Sequence, residues 1–196
     1  IQGTQWWTSY QPVSYKLDSK LGTEAEFKNM VQQCSAAGVG IIADVVLNQT
    51  TGADVAAGDQ KGVAGSEYNG STGSYPGFAT KQYPDGIAAA DFHSCDKNIS
   101  DYTNQKEVQE CRLSSMWDFN SESEKVQDIQ SDYLASLWNA GHRGFRMDAV
   151  KHIHTDSMKA IKEKFAKKIG KNANDIYWIQ EVIGNASEAA GIQPSN

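Results

Sequence analysis

Two acidic residues stand where carboxylates could do chemistry, and the first of them is Asp148. It closes the segment 144–148, in which Arg146 and Asp148 alternate with apolar residues. Successive side chains of a strand point to opposite faces, so Arg146 and Asp148 would share one face. A neighbouring guanidinium lowers the pKa of a carboxyl group and favours its ionised form, which suits Asp148 to act as a nucleophile.

The second acid is Glu181, which follows a strand-like segment, 176–180, and lies 33 residues after Asp148. This is about the length of one βαβ unit, and neighbouring parallel strands lie roughly 4.8 Å apart. The two carboxylates would then fall near the ~5–5.5 Å separation of retaining glycosidases, rather than the ~6.5–9.5 Å of inverting ones. Apolar Trp178 and Val182 predict a dry setting for Glu181 and thus the protonated form that a general acid needs. A salt-bridged Asp148 beside an unrelated acid explains the spacing equally well.

Four segments, in order along nearly the whole chain, resemble parts of one known family. Residues 44–49, 144–152 and 181–183 resemble the first three signature regions of the α-amylase family of glycoside hydrolases. Residues 6–17 resemble the segment after the second barrel strand in animal and actinobacterial α-amylases. The sequence is therefore identified as part of a member of this family.

The resemblance implies a retaining endo-hydrolase of α-1,4-glucosidic bonds in starch or glycogen. Asp148 would be its nucleophile, and Glu181 would be its general acid and base. Two alternatives stay open, a non-catalytic glucan-binding relative and a transglycosylase on the same scaffold. The two intact carboxylates argue against the first alternative, and product analysis would separate the second.

The resemblance also implies a set of residues that contact bound glucose units, namely Trp7, Tyr10, Gln11, Gln49, Arg146, Lys151 and His152. Of the two adjacent tryptophans, we expect Trp7 to stack on sugar and Trp6 to pack in the core. His152 could instead cap the next helix. Gln49 stands where relatives usually have a histidine. An amide can donate a hydrogen bond but cannot become cationic, so we expect a weaker transition-state contact from Gln49.

A structural calcium ion is a further implication of the resemblance, since the family's calcium joins an inserted domain to the barrel. Its ligands would be the side chains of Asn48 and Asp118 and the backbone carbonyls of Gln109 and His152, a set of oxygen donors that suits Ca²⁺. No local sequence pattern reveals this site unaided. The resemblance leaves open whether chloride is bound as well.

The three cysteines fall into two classes. The resemblance pairs Cys95 with Cys111 in a disulfide. Cys34 lies on the apolar stripe of a predicted helix, and we expect it to be a buried free thiol.

Helix and strand signals alternate as in an α/β barrel. Thr23 and Glu26 predict a capping box for a helix that stops at Gly38. Ser121 with Glu124 predicts the start of a second helix that stops near Gly141. The remaining elements are expected at 39–47 (strand), 143–148 (strand), 155–168 (helix) and 176–181 (strand).

These elements predict a partial (β/α)₈ TIM barrel, from the end of its second strand to its fifth. Residues 1–48 and 119–196 would be barrel segments. A connection as long as 49–118 needs a function inside a compact domain, and the resemblance makes it an inserted irregular domain after strand 3. A complete barrel takes about 250 residues, and the family's third carboxylate is not found here. We therefore expect these residues alone to be inactive.

Composition excludes several other classes. The chain of 196 residues has a net charge of −6 and no basic patch, which argues against nucleic acid as a partner. The lysine-rich stretch 159–171 reads as the solvated face of a helix rather than a membrane surface, and no apolar run could span a bilayer. We expect a glucan as the partner, a monomer when the protein is full length, and, from the resemblance, secretion, although no leader segment is readable.

Overall fold

The computed structural model describes residues 1–55 and 58–194, which cover every predicted site residue. Within those ranges the chain forms five strands and four α-helices, joined by loops and short 3₁₀ turns. The strands are β1 (Ile42–Val46), β2 (Asp59–Lys61), β3 (Glu67–Asn69), β4 (Gly144–Asp148) and β5 (Tyr177–Gln180). The helices are α1 (Glu24–Ala36), α2 (Gln105–Glu110), α3 (Glu124–Ala140) and α4 (Thr155–Lys168).

A parallel sheet in the order β1-β4-β5 is the centre of the structure. In its register Asp44 of β1 lies opposite Arg146 of β4, and Arg146 lies opposite Ile179 of β5. Helix α4 links β4 to β5, as a βαβ unit requires. The parallel sheet of a partial barrel is thus present, with strands slightly shorter than the predicted ones. Asp148 ends β4, and Glu181 follows β5 directly.

Packing on one face of this sheet fixes the position of β4. Phe145 is fully buried and contacts the rings of Phe165 and Trp178, each with ring centroids 5.2 Å from its own. Met147 is buried beside it, while Arg146 and Asp148 point to the other face. The predicted alternation of β4 therefore places its apolar side chains against α3 and α4 and leaves its charged ones free for a site.

Local signals set the ends of the helices. The capping box of α1 is present, since Thr23 Oγ1 accepts a hydrogen bond from the Glu26 amide at 3.3 Å and Glu26 Oε2 accepts one from the Thr23 amide at 2.8 Å. Helix α3 ends at Gly141, whose φ of 115° is a left-handed conformation that glycine adopts without strain. The predicted start of α3 at Ser121 is wrong, because its N-cap residue is Ser123.

Segment 49–118 is irregular but not structureless. It contains the β2–β3 hairpin, α2 and the disulfide between Cys95 and Cys111 that the resemblance implied. Its buried aromatic side chains form one cluster with Phe119, which follows the segment, and with Val126 and Ile129 of α3; they are Tyr68, Tyr75, Phe78 and Phe92. The segment is therefore packed on the barrel portion of the chain. Its status as a separate domain, with the boundaries 1–48, 49–118 and 119–196, stays a prediction.

Helix α1 differs from its predicted environment. It packs on the core through Val31 and Phe27, whereas Met30 is 41% exposed. Cys34 is a free thiol as predicted, but it is only partly buried, so the expectation of a buried cysteine is wrong.

The length and polarity of a helix determine whether it could cross a membrane. Among the residues described, no helix has both the length and the apolar character that crossing a bilayer demands.

Glu107 ties the loop beside the disulfide to α2. Its carboxylate accepts hydrogen bonds from Lys97 Nζ at 2.8 Å, from the Ser100 amide at 2.7 Å and from the Ser100 hydroxyl at 2.8 Å. These donors, Lys97 first, lower the pKa of Glu107 to about 2. The folded state therefore favours the ionised form of Glu107.

We predict that Glu107→Gln destabilises the chain near neutral pH, and that its deficit in free energy of unfolding shrinks as the pH falls from about 4.5 towards 2. The ionised group stabilises the fold above its ordinary pKa of 4.5, and this contribution is lost as the pH falls through the lowered value. Urea unfolding at several pH values measures the deficit. Glu67→Gln, a change of an exposed acid in the same segment, should have little effect. A deficit that is constant with pH would contradict the prediction.

Candidate active site

One guanidinium group joins carboxylates from all three strands of the parallel sheet. Arg146 of β4 lies 2.8 Å from Asp44 Oδ1 and 2.8 Å from Asp148 Oδ1 through Nη1, and 2.7 Å from Glu181 Oε1 through Nη2. This is possible because β4 is the central strand, so the long side chain of Arg146 reaches both neighbours. The structure thus brings Asp148 and Glu181 to the two nitrogens of a single fork.

Burial decides the electrostatics of Asp148. Burial is the largest influence and raises its pKa, hydrogen bonds from Arg146 and Gln49 lower it, and the charge of Glu181 raises it again. Arg146 therefore lowers the pKa of Asp148 as predicted, but the net pKa is raised, so the prediction of a lowered pKa is wrong. The sequence shows that Arg146 is beside Asp148, but it does not show how far Asp148 is buried. Asp148 is only 9% exposed, and this loss of water raises its pKa.

The environment of Glu181 also differs from the prediction. Its side chain is 30% exposed, and it is paired with Arg146 and accepts a hydrogen bond from the Ala149 amide at 3.0 Å. The expected dry setting is therefore wrong. The apolar neighbours in sequence point away from this carboxylate, which stands at the end of β5 on the polar side of the sheet.

A cavity of about 900 Å³ opens beside the two acids. Both predicted catalytic residues and all seven predicted sugar-binding residues line it, namely Asp148, Glu181, Trp7, Tyr10, Gln11, Gln49, Arg146, Lys151 and His152. These residues come from four separate stretches of the sequence. The structure therefore brings together the whole set that the resemblance selected.

The aromatic residues at the cavity come from the 3₁₀ turn 6–10. Trp6 is 77% exposed and lines the cavity together with the partly buried Trp7, so the expectation that Trp6 packs in the core is wrong. Its indole meets the ring of Tyr10 edge-on, with centroids 5.9 Å apart. Tyr10 in turn donates a hydrogen bond from its hydroxyl to Asp44 Oδ2 at 2.8 Å. Gln11 is held by Thr51, whose hydroxyl donates to Gln11 Oε1 at 2.6 Å.

Gln49 contacts the candidate nucleophile. It is 2% exposed, and its Nε2 donates to Asp148 Oδ2 at 3.4 Å and to the carbonyl of Tyr10 at 3.2 Å. Within the described residues its Oε1 is buried without a hydrogen-bond partner. Buried polar atoms in folded proteins usually have a partner, so the described residues leave the accepting capacity of Gln49 Oε1 unused.

Lys151 and His152 stand just beyond β4. Lys151 Nζ contacts the carbonyl of Ile183 at 2.7 Å and Glu188 Oε1 at 3.0 Å, and it lies 4.7 Å from the ring centroid of Tyr102. His152 Nδ1 is 3.0 Å from the carbonyl of Val108, and burial lowers the pKa of its ring. The alternative role of His152 as a helix cap is wrong, because α4 has His154 at its N-cap position.

Sequence reasoning missed three residues of this site. Asp44, Tyr102 and Glu188 line the cavity or bind its residues, but none was selected. For Asp44 a signal existed, since it is the acid of the first signature segment and would pair with β4 in a parallel sheet. For Tyr102 and Glu188 there was none, because they lie in irregular loops.

Two of the residues proposed for calcium, Asn48 and Asp118, are neighbours where segment 49–118 ends. The amide of Phe119 donates to the carbonyl of Asn48 at 3.0 Å, and this places Asn48 beside Asp118. Asp118 Oδ1 and the side-chain amide end of Asn48 are both buried and, in the described part of the chain, have no hydrogen-bond partner. Burial raises the pKa of Asp118 to about 7. A buried carboxylate oxygen left free in this way, as Asp118 Oδ1 is, fits a hard cation such as Ca²⁺, whereas the free Asn48 atom is the nitrogen Nδ2.

The two backbone ligands also come from elements in contact. Helix α2, which carries Gln109, packs against the 3₁₀ turn 150–152 that ends in His152. Gln109 Nε2 also donates to the carbonyl of Ile153 at 3.2 Å. The elements that carry the two backbone ligands are therefore in contact, and carbonyl oxygens are donors that suit calcium.

Comparison with known proteins gives consistent results. Residues 6–190 match the family described as "Alpha amylase, catalytic domain". An α-amylase of Streptomyces violaceus is 36% identical over 195 residues, which are 100% of this chain and 30% of that protein. The crystal structure of α-amylase I from Eisenia fetida matches with a TM-score of 0.82 and 35% identity, over 94% of this chain and 37% of that one. A mutant of the same enzyme in complex with maltohexaose matches over the same shares, with a TM-score of 0.81 and 34% identity. The chain thus spans about a third of the length of these relatives.

Removing the shared cation tests the electrostatics of the site. We predict that Arg146→Gln raises the pKa of Asp148 further, since a hydrogen bond that lowers it is lost while burial remains. Carboxyl ¹³C NMR as a function of pH measures this pKa. Arg143→Gln is the matched control, because the guanidinium of Arg143 lies over Trp138, 5.4 Å from its ring centroid. An unchanged or lowered pKa of Asp148 in Arg146→Gln would refute the assignment.

Proposed function

Because this chain belongs to the α-amylase family of glycoside hydrolases, we propose that it provides the nucleophile and the acid/base of a retaining endo-hydrolase of α-1,4-glucosidic bonds in starch or glycogen. The observation that carries the proposal is the pair of carboxylates, Asp148 and Glu181, that Arg146 holds at the wall of one cavity. A structural relative that binds maltohexaose supports an α-glucan as the substrate class.

In the proposed mechanism Asp148 attacks the anomeric carbon while Glu181 protonates the departing glycosidic oxygen. The glycosyl group is then bonded to Asp148, and Glu181 removes a proton from the water that releases it. Ester formation removes the charge of Asp148, and Arg146 then remains paired with Asp44 and Glu181.

The remaining residues of the cavity would hold the glucan. Trp7 and Tyr10 offer flat apolar surfaces to the faces of sugar rings, and Trp6 joins them because it is exposed at the same rim. Gln11, Lys151 and His152 offer polar groups to sugar hydroxyls. The cavity is large enough for more than one glucose unit, as an endo-acting enzyme requires.

We also propose that calcium is held by the side chains of Asn48 and Asp118 and by the carbonyls of Gln109 and His152. The ion would neutralise the buried charge of Asp118 and fix segment 49–118 to the end of β4. The support is the buried Asp118 Oδ1, which has no hydrogen-bond partner within the described chain, and the position of Asn48 beside Asp118.

Secretion and a monomeric state of the complete protein belong to the same proposal. The disulfide between Cys95 and Cys111 supports an oxidising compartment. Because the chain spans about 30% of the length of a curated relative, we expect the 196 residues alone to be inactive.

The function is tested by removing each acid in the complete protein. We predict that Glu181→Gln lowers kcat on soluble starch by about 10²–10⁴-fold, the usual contribution of general acid–base catalysis, and that Asp148→Asn lowers it at least as far. Reducing-end release measures the rate. Glu124→Gln, an 85% exposed acid at the start of α3, is the control and should leave kcat unchanged.

Product stereochemistry tests the retaining mechanism separately. ¹H NMR of the first products should show the α-anomer before mutarotation. A β-anomer would overturn the retaining mechanism, and full activity in either acid variant would overturn the assignment of the site. Transfer products in place of free reducing ends would favour a transglycosylase.

Gln49 allows a gain-of-function test. We predict that Gln49→His raises kcat of the complete protein by ~10–100-fold, which corresponds to one regained polar contact of roughly 1.4–2.7 kcal/mol in the transition state. The reason is that a protonated imidazole at this buried position beside Asp148 would donate a hydrogen bond from a positively charged group. The amide of Gln49 donates a hydrogen bond but carries no charge. The negative control is Gln49→Asn, which keeps the amide but shortens its reach. An unchanged kcat in Gln49→His would refute the prediction.

A further inference from the structure

A second group of ligand-type side chains lies outside the cavity. His93, Glu122 and His154 each direct one ligand atom to a common point, and these atoms lie within 4.8 Å of one another. They come from three places in the sequence, namely segment 49–118, the turn before α3 and the N-cap position of α4. The described lining of the catalytic cavity does not include them. None of the three was selected from the sequence.

His93 is oriented by a carboxylate. Its Nδ1 lies 2.6 Å from Asp118 Oδ2, and its Nε2 lies 2.9 Å from Glu122 Oε2. If Asp118 accepts the Nδ1 proton, Nε2 presents its lone pair to the cluster. A carboxylate that fixes the far nitrogen of an imidazole is the usual second layer around a metal-bound histidine. The His93 side chain is 9% exposed, so it has little freedom to turn away.

His154 supplies an independent observation. Its Nε2 is buried and, in the described part of the chain, lacks a hydrogen-bond partner, although Glu122 Oε1 is only 3.1 Å away. Glu110 Oε1 is 3.7 Å from the same nitrogen. A buried imidazole nitrogen that lies close to carboxylates without hydrogen-bonding geometry needs an explanation, and a shared cation provides one.

We propose that His93 Nε2, His154 Nε2 and the Glu122 carboxylate bind a divalent transition metal, for which Zn²⁺ is the best match. Two imidazoles and one carboxylate form a common zinc set, whereas Ca²⁺ takes oxygen ligands. Glu110 or a water molecule would complete four-coordination. The Glu122 side chain is 47% exposed and can adjust to the short metal–oxygen distance.

The role of this zinc site is structural. It joins segment 49–118 to the start of α3 and the start of α4, three parts of the chain that no covalent cross-link connects among the described residues. Asp118 faces both ions, since its Oδ2 orients His93 and its Oδ1 is the oxygen proposed for calcium. The proposal does not depend on glucan hydrolysis.

Metal binding tests the proposal directly. The chain, prepared without a histidine tag and kept in excess Ca²⁺, is titrated with Co²⁺ as a spectroscopic substitute and then with Zn²⁺. We expect one equivalent of Co²⁺ to give the visible absorption of a four-coordinate site, one equivalent of Zn²⁺ to abolish it, and Zn²⁺ to raise Tm. Absence of stoichiometric binding would overturn the proposal in favour of a metal-free cluster of ion pairs.

Variants assign the ligands. His154→Gln and Glu122→Gln should weaken Zn²⁺ binding by more than ~10–100-fold, the cost of losing even an outer-layer partner. Glu124→Gln, two residues beyond Glu122, is the matched control and should bind as the parent does. Circular dichroism and the Tm without Zn²⁺ show whether each variant is folded. Parent-like affinity in a folded His154→Gln chain would also overturn the proposal.

Discussion

The pairing of one arginine with three carboxylates is the interaction on which the site depends. Arg146 lies in the central strand, and Asp44, Asp148 and Glu181 reach it from three strands or their ends. Three acids of one sign at the end of a sheet would repel one another, and removing one partner of a partly buried ion pair leaves a costly charge. The fork of the guanidinium offers separate nitrogens to Asp148 and Glu181, which a lysine could not do. The separation of the two acids is therefore set by the geometry of one side chain.

The apolar face of β4 makes that arrangement possible. Phe145 and Met147 pack the strand against α3 and α4. Because side chains alternate along a strand, Arg146 and Asp148 must then point to the opposite face of the sheet. A slip of one residue in the register would place two charges in the core. Hydrophobic packing on one side of the sheet thus determines where the charges lie on the other.

Much of this arrangement could be predicted from sequence, because it follows from local rules. Alternation gave the faces of β4, the Thr23–Glu26 spacing gave the start of α1, and one βαβ length gave the proximity of Asp148 and Glu181. What failed depends on the surroundings in three dimensions. Burial reversed the direction of the pKa shift at Asp148, and Trp6 is exposed where packing was expected. The His93–Glu122–His154 cluster was not foreseeable, since no periodic pattern links its members.

Asn48 and Gln49 connect the two proposed catalytic acids to the packing of segment 49–118. Gln49 pairs through its backbone with Asp118, and Asn48 accepts a hydrogen bond from Phe119, so the end of segment 49–118 holds these two residues from outside the sheet. The side chain of Gln49 then reaches Asp148, while Asp118 is itself held by His93. A shift of segment 49–118 would therefore move Asp118, then Gln49, and with Gln49 a hydrogen bond to Asp148, the proposed nucleophile. Buried polar groups that could bind metal ions are concentrated at this junction. Bound ions would hold segment 49–118, which the parallel sheet does not include, in place.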